Sequence, residues 1–287
     1  MDMKKALALL ALIGIIALSG CVTPPFPTTA AGGEIAVGML VEETTVPRGS
    51  PVGVTVTVEN KALVPIENVY AEIYGPLDWS GFSKKGPYTI RPEESRDFYW
   101  VLTSPMVSAD TRYTIYGKVQ YDMTVDKTFT ATVVTYDYYK RTKKVSTIEE
   151  SATNVGGPIS ISISAAGTQR YIYPEQESIR FPVKIIIQNK GPGKVFLQGS
   201  QPTLEDGLNK VRVTVSSTNN ALSCTDIANA VTLGKEGTYA LISCDLVINK
   251  ADIEASGVAT YTGTVTVQFS YIQDFSSPGI TVTALQR

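Results

Sequence analysis

The feature that most restricts the fold is an alternation of apolar and polar side chains with a period of two residues, which recurs along most of the chain. Residues 52–58, VGVTVTV, are the clearest example. Alternation with this period puts successive side chains on opposite faces of an extended strand, so that one face can pack in a core. The pattern predicts strands at 35–41, 52–58, 69–74, 98–102, 113–121, 129–136, 159–163, 183–187, 211–215, 239–248, 261–271 and 280–285.

Gly, Pro and Asn residues separate these stretches, and only two segments, 225–230 and 250–255, carry a weak helical pattern. Many short strands divided by turn residues are typical of β-sandwiches. We therefore predict an all-β fold, with Trp79 and Trp100 in the core of its first half.

Three pairs of similar segments occur in the same order in the two halves of the chain. They are 54–61 with 183–190, 94–102 with 236–244, and 113–121 with 261–269. In the first pair an alternating strand runs into an Asn-Lys turn at Asn60 and at Asn189, where Asn tolerates a left-handed backbone. The shared order predicts two tandem immunoglobulin-like sandwich domains, although any β-rich chain resembles itself to some degree.

The alternation stops between the two halves. Four basic residues within 140–144 are followed by Glu149, Glu150 and the breaker residues 156–158, as expected of an exposed connection. The predicted units are a first sandwich at 34–140, a linker at 141–157 and a second sandwich at 158–287.

The N-terminus combines a short positive segment with an apolar run. Lys4 and Lys5 precede the 13 apolar residues 6–18. This run is shorter than the roughly 20 residues that a membrane-spanning helix needs, and it matches the central region of a secretory signal peptide. We therefore predict that residues 1–20 are a signal peptide.

The end of this run, Leu18-Ser19-Gly20-Cys21, resembles the lipobox of secreted lipoproteins. In that family cleavage precedes the cysteine, which then carries the lipid. The resemblance implies a protein attached to the cell membrane through Cys21 and facing the extracytoplasmic side. Residues 21–33 would then form a flexible tether rich in Pro, Thr and Gly. The alternative is an ordinary signal peptide, or an uncleaved anchor, with an incidental cysteine.

The chain contains three cysteines and no histidine. If Cys21 carries a lipid, Cys224 and Cys244 remain as an even pair in an oxidising compartment, where a disulfide is expected. Two free buried thiols are the alternative. The absence of histidine excludes Ser-His-Asp and Cys-His catalysis and every His-ligated metal site. We predict no cofactor.

Acidic residues are the remaining candidates for chemistry. Acidic doublets occur at 42–43, 93–94, 149–150 and 205–206. These positions are predicted strand ends or turns, where solvated carboxylates are common. Oxygen ligands for calcium could come from Asp122, Asp126, Glu205 and Asp206, which are predicted near turns, but no calcium-loop motif is present. The net charge of −2 and the lack of a large basic patch do not favour nucleic acid as a partner.

Aromatic residues beside cations form the candidate interaction patch, which comprises Tyr136, Tyr138, Tyr139, Lys140 and Arg141. We predict a strand here, with Tyr136 and Tyr138 on one face and Tyr139 on the other. Exposed tyrosines beside cations can contact a protein or a glycan. The alternative is an interdomain hinge in which the rings pack against the second sandwich.

Several of these segments together resemble CARDB-type modules, which are immunoglobulin-like domains repeated in archaeal and bacterial surface and S-layer-associated proteins. The similar segments are V-x-V-x-N at 56–60, a Pro/Glu-Ser segment at 92–95 and Y-x-I-x-x-x-V-x-Y at 113–121. The Asn-x-Gly turn typical of the family is present at 189–191 and absent at 60–62. The resemblance implies an adhesive, spacing or protein-contact role without catalytic residues.

Three functions are consistent with these observations. The favoured one is a non-catalytic, membrane-anchored surface lipoprotein that contacts other cell-envelope proteins. The second is a lipoprotein that captures a glycan or solute as an accessory to a transporter. The third is a carboxylate-based hydrolase, for which the sequence provides the least support.

Overall fold

The computed structural model describes residues 35–151, 156–167, 171–173, 179–200, 207–225, 227, 230–234, 237–254 and 256–284. The predicted signal peptide, Cys21, the tether, Glu205 and Asp206 lie outside these residues. Within the described ranges, no helix combines the length and the apolar character needed to cross a membrane.

The described residues are almost entirely β, which confirms the predicted fold class. The strands are β1 (Ile35–Val41), β2 (Thr45–Pro47), β3 (Pro51–Asn60), β4 (Ile66–Tyr74), β5 (Lys84–Ile90), β6 (Ser95–Thr103), β7 (Thr111–Tyr113), β8 (Tyr116–Val134), β9 (Thr147–Glu150), β10 (Ile159–Ala165), β11 (Ile179–Asn189), β12 (Lys194–Phe196), β13 (Lys210–Ser217), β14 (Leu222–Cys224), β15 (Val231–Thr232), β16 (Tyr239–Ile248), β17 (Val258–Ser276) and β18 (Ile280–Thr283). Two short α-helices, α1 (Tyr136–Thr142) and α2 (Lys250–Glu254), and a 3-10 turn at Thr218–Asn220 accompany them. Helix α2 confirms the helix predicted near 250–255.

Side-chain alternation explains why these segments are strands. In β3, Val54, Val56 and Val58 are fully buried, whereas the threonines between them are partly exposed. β3 lies between β1 and β6 in an antiparallel sheet, and β11 lies between β10 and β16 in the corresponding sheet of the second half. Trp79 and Trp100 are buried in the core, as predicted.

The two halves share one sheet because β8 and β17 pair with each other along their whole length. The antiparallel ladder runs from Tyr116 opposite Ser276 to Val134 opposite Val258. On its other edge β8 pairs with β4 and then with β9, while β17 pairs with β13 and β12. The resulting eight-stranded sheet therefore contains strands from both predicted sandwiches.

The last strand returns to the first half of the chain. β18 lies between β2, which is parallel to it, and β7, which is antiparallel. Ile280 and Val282 are fully buried. Three ladders of the described residues thus join strands from the two sides of the predicted linker: β8–β17, β2–β18 and β7–β18. Within 141–157 the structure places the end of α1 and β9. The division into domains at 34–140 and 158–287 stays a prediction. The eight-stranded sheet and the β2–β18–β7 sheet contain strands from both halves.

One predicted interruption is absent from the structure. The sequence suggested separate strands at 113–121 and 129–136, but β8 continues through the residues between them. Met123 and Val125 are buried while Asp122 and Asp126 face outward, so the alternation is kept and a charged residue on the solvent face does not end the strand. The prediction that Asp122 and Asp126 lie near turns is therefore wrong.

The other predicted helix is also absent where the structure can test it. Thr225, Ile227 and Ala230 are not helical, and the remaining residues of 225–230 lie outside the described ranges.

The two Asn-Lys turns have the same local structure. Asn60 and Asn189 each end a strand, and each side-chain oxygen accepts a hydrogen bond from the backbone N–H two residues later, at 3.0 and 3.1 Å. Each side-chain amide donates to the carbonyl four residues later, at 2.9 and 3.1 Å. This shared set of hydrogen bonds supports the repeat that the sequence indicated.

Candidate functional site

The candidate patch lies on helix α1 rather than on a strand. Thr135 caps the helix, because its hydroxyl accepts a hydrogen bond from the Tyr138 N–H at 3.2 Å. Lys143 ends it with a left-handed backbone, φ 63°, and its N–H bonds to the Tyr139 carbonyl. Residues three apart share a helix face, so Tyr136 and Tyr139 lie together. The prediction that Tyr136 and Tyr138 share a strand face is therefore wrong.

Two tyrosines from a distant segment join those of α1. The ring of Tyr171 lies 4.9 Å from that of Tyr136 and 5.0 Å from that of Tyr139, measured between centroids. Tyr173 lies 5.4 Å from Tyr136 and 5.7 Å from Tyr171. We call Tyr136, Tyr139, Tyr171 and Tyr173 the tyrosine cluster. The sequence analysis missed Tyr171 and Tyr173, although their own alternation, Tyr-Ile-Tyr, was a signal that both rings face the same way.

Backbone pairing holds the two segments of the cluster together. The Tyr136 N–H donates to the Ile172 carbonyl at 2.9 Å, and the Ile172 N–H donates to the Val134 carbonyl at 3.0 Å. The side chain of Ile172 is 1% exposed. A buried residue between two tyrosines therefore anchors their rings beside α1.

Two lysines lie over rings of the cluster. The Lys140 ammonium is 4.6 Å from the centroid of Tyr136 and 2.9 Å from a carboxylate oxygen of Asp137. The Lys143 ammonium is 5.7 Å from the centroid of Tyr139. Such cation–π contacts stabilise both groups modestly at exposed positions.

The charged and hydroxyl groups of the cluster influence each other's pKa. The hydrogen bond and the charge of Asp137 raise the pKa of Lys140, and Lys140 lowers the pKa of Asp137 in return. A hydrogen bond with Tyr171 raises the pKa of Tyr173. Lys140 is therefore charged and Tyr173 neutral at physiological pH.

The other two residues of the predicted patch, Tyr138 and Arg141, are also on α1 but do not belong to the tyrosine cluster. Tyr138 packs beside Gly257, where an added Cβ would come within 3.0 Å of the Tyr138 Cβ. Arg141 is exposed, and its Nε donates to the Asp137 carbonyl at 3.4 Å. The rings of α1 thus contact a segment of the second half, and the cluster still keeps an accessible side, where Tyr173 is 49% exposed.

The predicted disulfide is present. Cys224 and Cys244 lie directly opposite each other in the β14–β16 ladder and are bonded, with their Cα atoms 4.0 Å apart. Cys244 is buried and Cys224 partly buried. The bond attaches the three-residue edge strand β14 to the central part of β16.

Carboxylates near the sheets serve structural contacts. Asp122 accepts hydrogen bonds from the Ser270 hydroxyl at 2.5 Å and the Asn68 amide at 2.9 Å, and with Asp126 it lines a shallow pocket of about 210 Å³. Glu150 accepts a hydrogen bond from Ser162. Among the residues for which the structure gives positions, no three His, Cys, Asp or Glu side chains are grouped so that they could hold a metal ion.

Comparison with known proteins gives one family match. Residues 46–122 match the family described as the NPCBM-associated, NEW3 domain of alpha-galactosidase. The match runs from β2 into β8 and ends before the tyrosine cluster. It supports an immunoglobulin-like β-sandwich, and it provides no support for the narrower CARDB or S-layer assignment. A search of curated proteins finds no match.

Solved structures show only distant similarity. The sporulation control protein Spo0M of Bacillus subtilis is 12% identical, with a TM-score of 0.22, over 56% of this chain and 69% of that chain. Red sea bream transglutaminase is 8% identical, with a TM-score of 0.21, over 88% and 32%. The secreted serine protease VesC of Vibrio cholerae is 7% identical, with a TM-score of 0.22, over 88% and 52%. Scores this low carry no argument about function.

Proposed function

We propose that this protein is a non-catalytic surface lipoprotein, which a lipid on Cys21 holds at the outer side of the cell membrane and which acts by contact with other envelope components. The observation that carries the proposal is the tyrosine cluster, which has two lysines over its rings and one accessible side, and which backbone hydrogen bonds hold on the body. Rigid aromatic side chains provide contact area at a low cost in conformational entropy.

Two further observations support a role without catalysis. The sequence has no histidine, so the common nucleophilic mechanisms are closed to it. Residues 46–122 match a family described as the NPCBM-associated, NEW3 domain of alpha-galactosidase. An accessory domain of this kind is consistent with a protein that binds a partner and does not catalyse a reaction.

Capture of a glycan is the second candidate, and the same family description favours it. In that case the protein would collect sugars at the surface for a transporter or an enzyme, and the body would still be non-catalytic. Saturable binding of a free sugar by the isolated protein, together with a lack of binding to envelopes, would favour this role over envelope contact.

Membrane anchoring is tested by metabolic labelling with a fatty acid, comparing the wild type with Cys21→Ala. We expect label only in the wild type. The double variant Cys224→Ala/Cys244→Ala is the control and should keep its label. Equal labelling of wild type and Cys21→Ala would remove the anchor from the proposal.

The contact role is tested by co-sedimentation of the Cys21→Ala chain with purified native envelopes. Binding should fall in the double variant Tyr139→Ala/Tyr173→Ala. The matched control is Tyr239→Ala, because Tyr239 is a 59% exposed tyrosine on β16. Envelope binding that is unchanged in the double variant, or absent in the parent chain, would contradict the proposal.

A further inference from the structure

We propose that the tyrosine cluster binds an acidic glycan, a polysaccharide whose sugars carry carboxylate groups. The inference rests on the proposed contact role and names the chemistry of the partner. In this arrangement the rings stack on the apolar C–H faces of the sugars, and Lys143 with its basic neighbours pairs with the carboxylates. The cluster lies outside residues 46–122, which match the known family.

The four rings of the cluster differ in orientation, so that a ligand can meet both the face of one ring and the edge of another. Tyr139 and Tyr171 are inclined by 26°, and Tyr136 and Tyr139 by 27°. Tyr173 stands at 89° to Tyr171 and is the most accessible ring of the four. The C–H face of a sugar ring can therefore meet an aromatic face while the tyrosine hydroxyls donate hydrogen bonds to the sugar oxygens.

The polar character of the surroundings favours a sugar over a protein. The sequence of α1, YDYYKRT, contains no aliphatic residue, and Ile172, the aliphatic residue between two of the tyrosines, is buried. The core of a protein interface is depleted of charged residues, Lys among them, and its hot spots are fully desolvated. The accessible side chains of α1 carry hydroxyl groups or charges, as suits a partner rich in hydroxyl groups.

The charge of α1 and of the two lysines that follow it favours an acidic sugar. Between Tyr136 and Lys144 the chain carries four basic residues and a single acid, Asp137, although the whole chain has a net charge of −2. Asp137 pairs with Lys140. Among the residues that the structure describes, Lys143 and Lys144 have no carboxylate within ion-pair distance. Their positive charge is complementary to carboxylates of a ligand.

The inference is tested by calorimetric titration of the Cys21→Ala chain with polygalacturonate, alginate and hyaluronate. Methyl-esterified polygalacturonate is the matched neutral ligand, because it keeps the sugar backbone and lacks the charge. We expect saturable binding to at least one acidic polymer, weaker binding to the ester, and a loss of affinity as the salt concentration rises.

Variants separate stacking from charge. Tyr173→Ala should weaken binding about three- to tenfold, whereas Tyr173→Phe should retain most of it. Lys143→Gln should weaken binding at low salt and have little effect at high salt. Tyr239→Ala should bind as the parent chain does, and circular dichroism should show that all of these variants are folded.

Three outcomes would overturn the inference. One is a lack of binding to all three acidic polymers, and another is equal binding of the ester. The third is envelope binding that requires the cluster but disappears when protease removes envelope proteins, since the partner would then be a protein. In that last case the proposed contact role would stand, whereas a failure of envelope binding itself would remove both.

Discussion

Asp122 of β8 and Ser270 of β17 lie directly opposite each other, and the Ser270 hydroxyl donates a hydrogen bond to the Asp122 carboxylate at 2.5 Å. They are 148 residues apart, which is also the separation between the similar segments 113–121 and 261–269. Each is therefore the counterpart of the other in the two repeats. The equivalent segments of β8 and β17 pair antiparallel to each other, with Asp122 and Ser270 at the centre of the symmetry. The two copies of an isologous dimer are related in the same way.

Tyr121 and Tyr271 lie next to this pair and face each other across the ladder. From their environment we predict how the free energy of unfolding depends on pH. Their rings lie 5.5 Å apart in the core. Burial raises the pKa of Tyr121 well above 10 and that of Tyr271 to about 12. Because the folded state disfavours both phenolates, their contribution to stability is complete below pH 10 and is lost as the pH rises from 10 towards 12. Urea unfolding between pH 8 and 11.5 should show this fall.

Tyr271→Phe tests the assignment. The variant should lower stability at pH 7, because the Gly193 N–H loses its acceptor, and it should make the fall above pH 10 less steep. Tyr239→Phe, at an exposed position, is the control and should keep the steep dependence. The same slope for Tyr271→Phe and the parent chain would contradict this account.

The position of β18 predicts that the C-terminus stabilises the first half of the chain. Ile280→Ala should lower the free energy of unfolding by about 2–4 kcal/mol, because the side chain is fully buried between β2 and β7. Trp79 and Trp100, the two tryptophans, both lie in the first half, so their fluorescence reports its unfolding. Thr281→Ala is the adjacent control. An unchanged fluorescence transition in Ile280→Ala would show that β18 is not needed there.

The two equivalent asparagines should differ in their contribution to stability. Asn60 is fully buried, and its amide donates to a second carbonyl, that of Ile90, at 3.0 Å. Asn60→Ala leaves these buried groups unpaired and should cost about 2–3 kcal/mol, whereas Asn189→Ala, at a half-buried position, should cost about 1 kcal/mol. Chemical denaturation measures both. A larger loss for Asn189→Ala would contradict the ranking.

The disulfide should stabilise the second half by closing a loop of 20 residues in the unfolded chain. Replacing both Cys224 and Cys244 by Ala should lower the free energy of unfolding by about 3 kcal/mol. Hydrogen exchange should become faster in β14, which has only three paired residues. Cys21→Ala should leave both quantities unchanged. Alkylation of Cys224 and Cys244 in the unreduced protein would show that the bond does not form.

Local pattern was sufficient to predict much of the fold and part of the site. Period-two alternation predicted the strands, because the side chains of a strand face alternately in and out whatever their partners are. The turn at Asn60 and its repeat at Asn189 were visible for a similar reason, since the Asn side chain bonds to its own neighbours. The patch around Tyr136 was found from composition, but its conformation was not.

Helix α1 shows why a short segment is difficult to assign. Residues 136–142 follow an alternating stretch and contain no apolar periodicity that distinguishes a helix from a strand. The Thr135 cap and the pairing of Tyr136 with Ile172 decide the outcome, and the second of these depends on a segment 36 residues away.

The sequence alone therefore determined that this chain forms strands and where many of them lie, and it predicted the Cys224–Cys244 pair on the condition that Cys21 carries a lipid. Only the tertiary structure decided that β8 pairs with β17, that β18 returns to the first half and that Tyr171 and Tyr173 complete the cluster on α1. The physical reason is that alternation fixes which face of a strand is buried, whereas the choice of partner strand depends on packing between residues far apart in the chain.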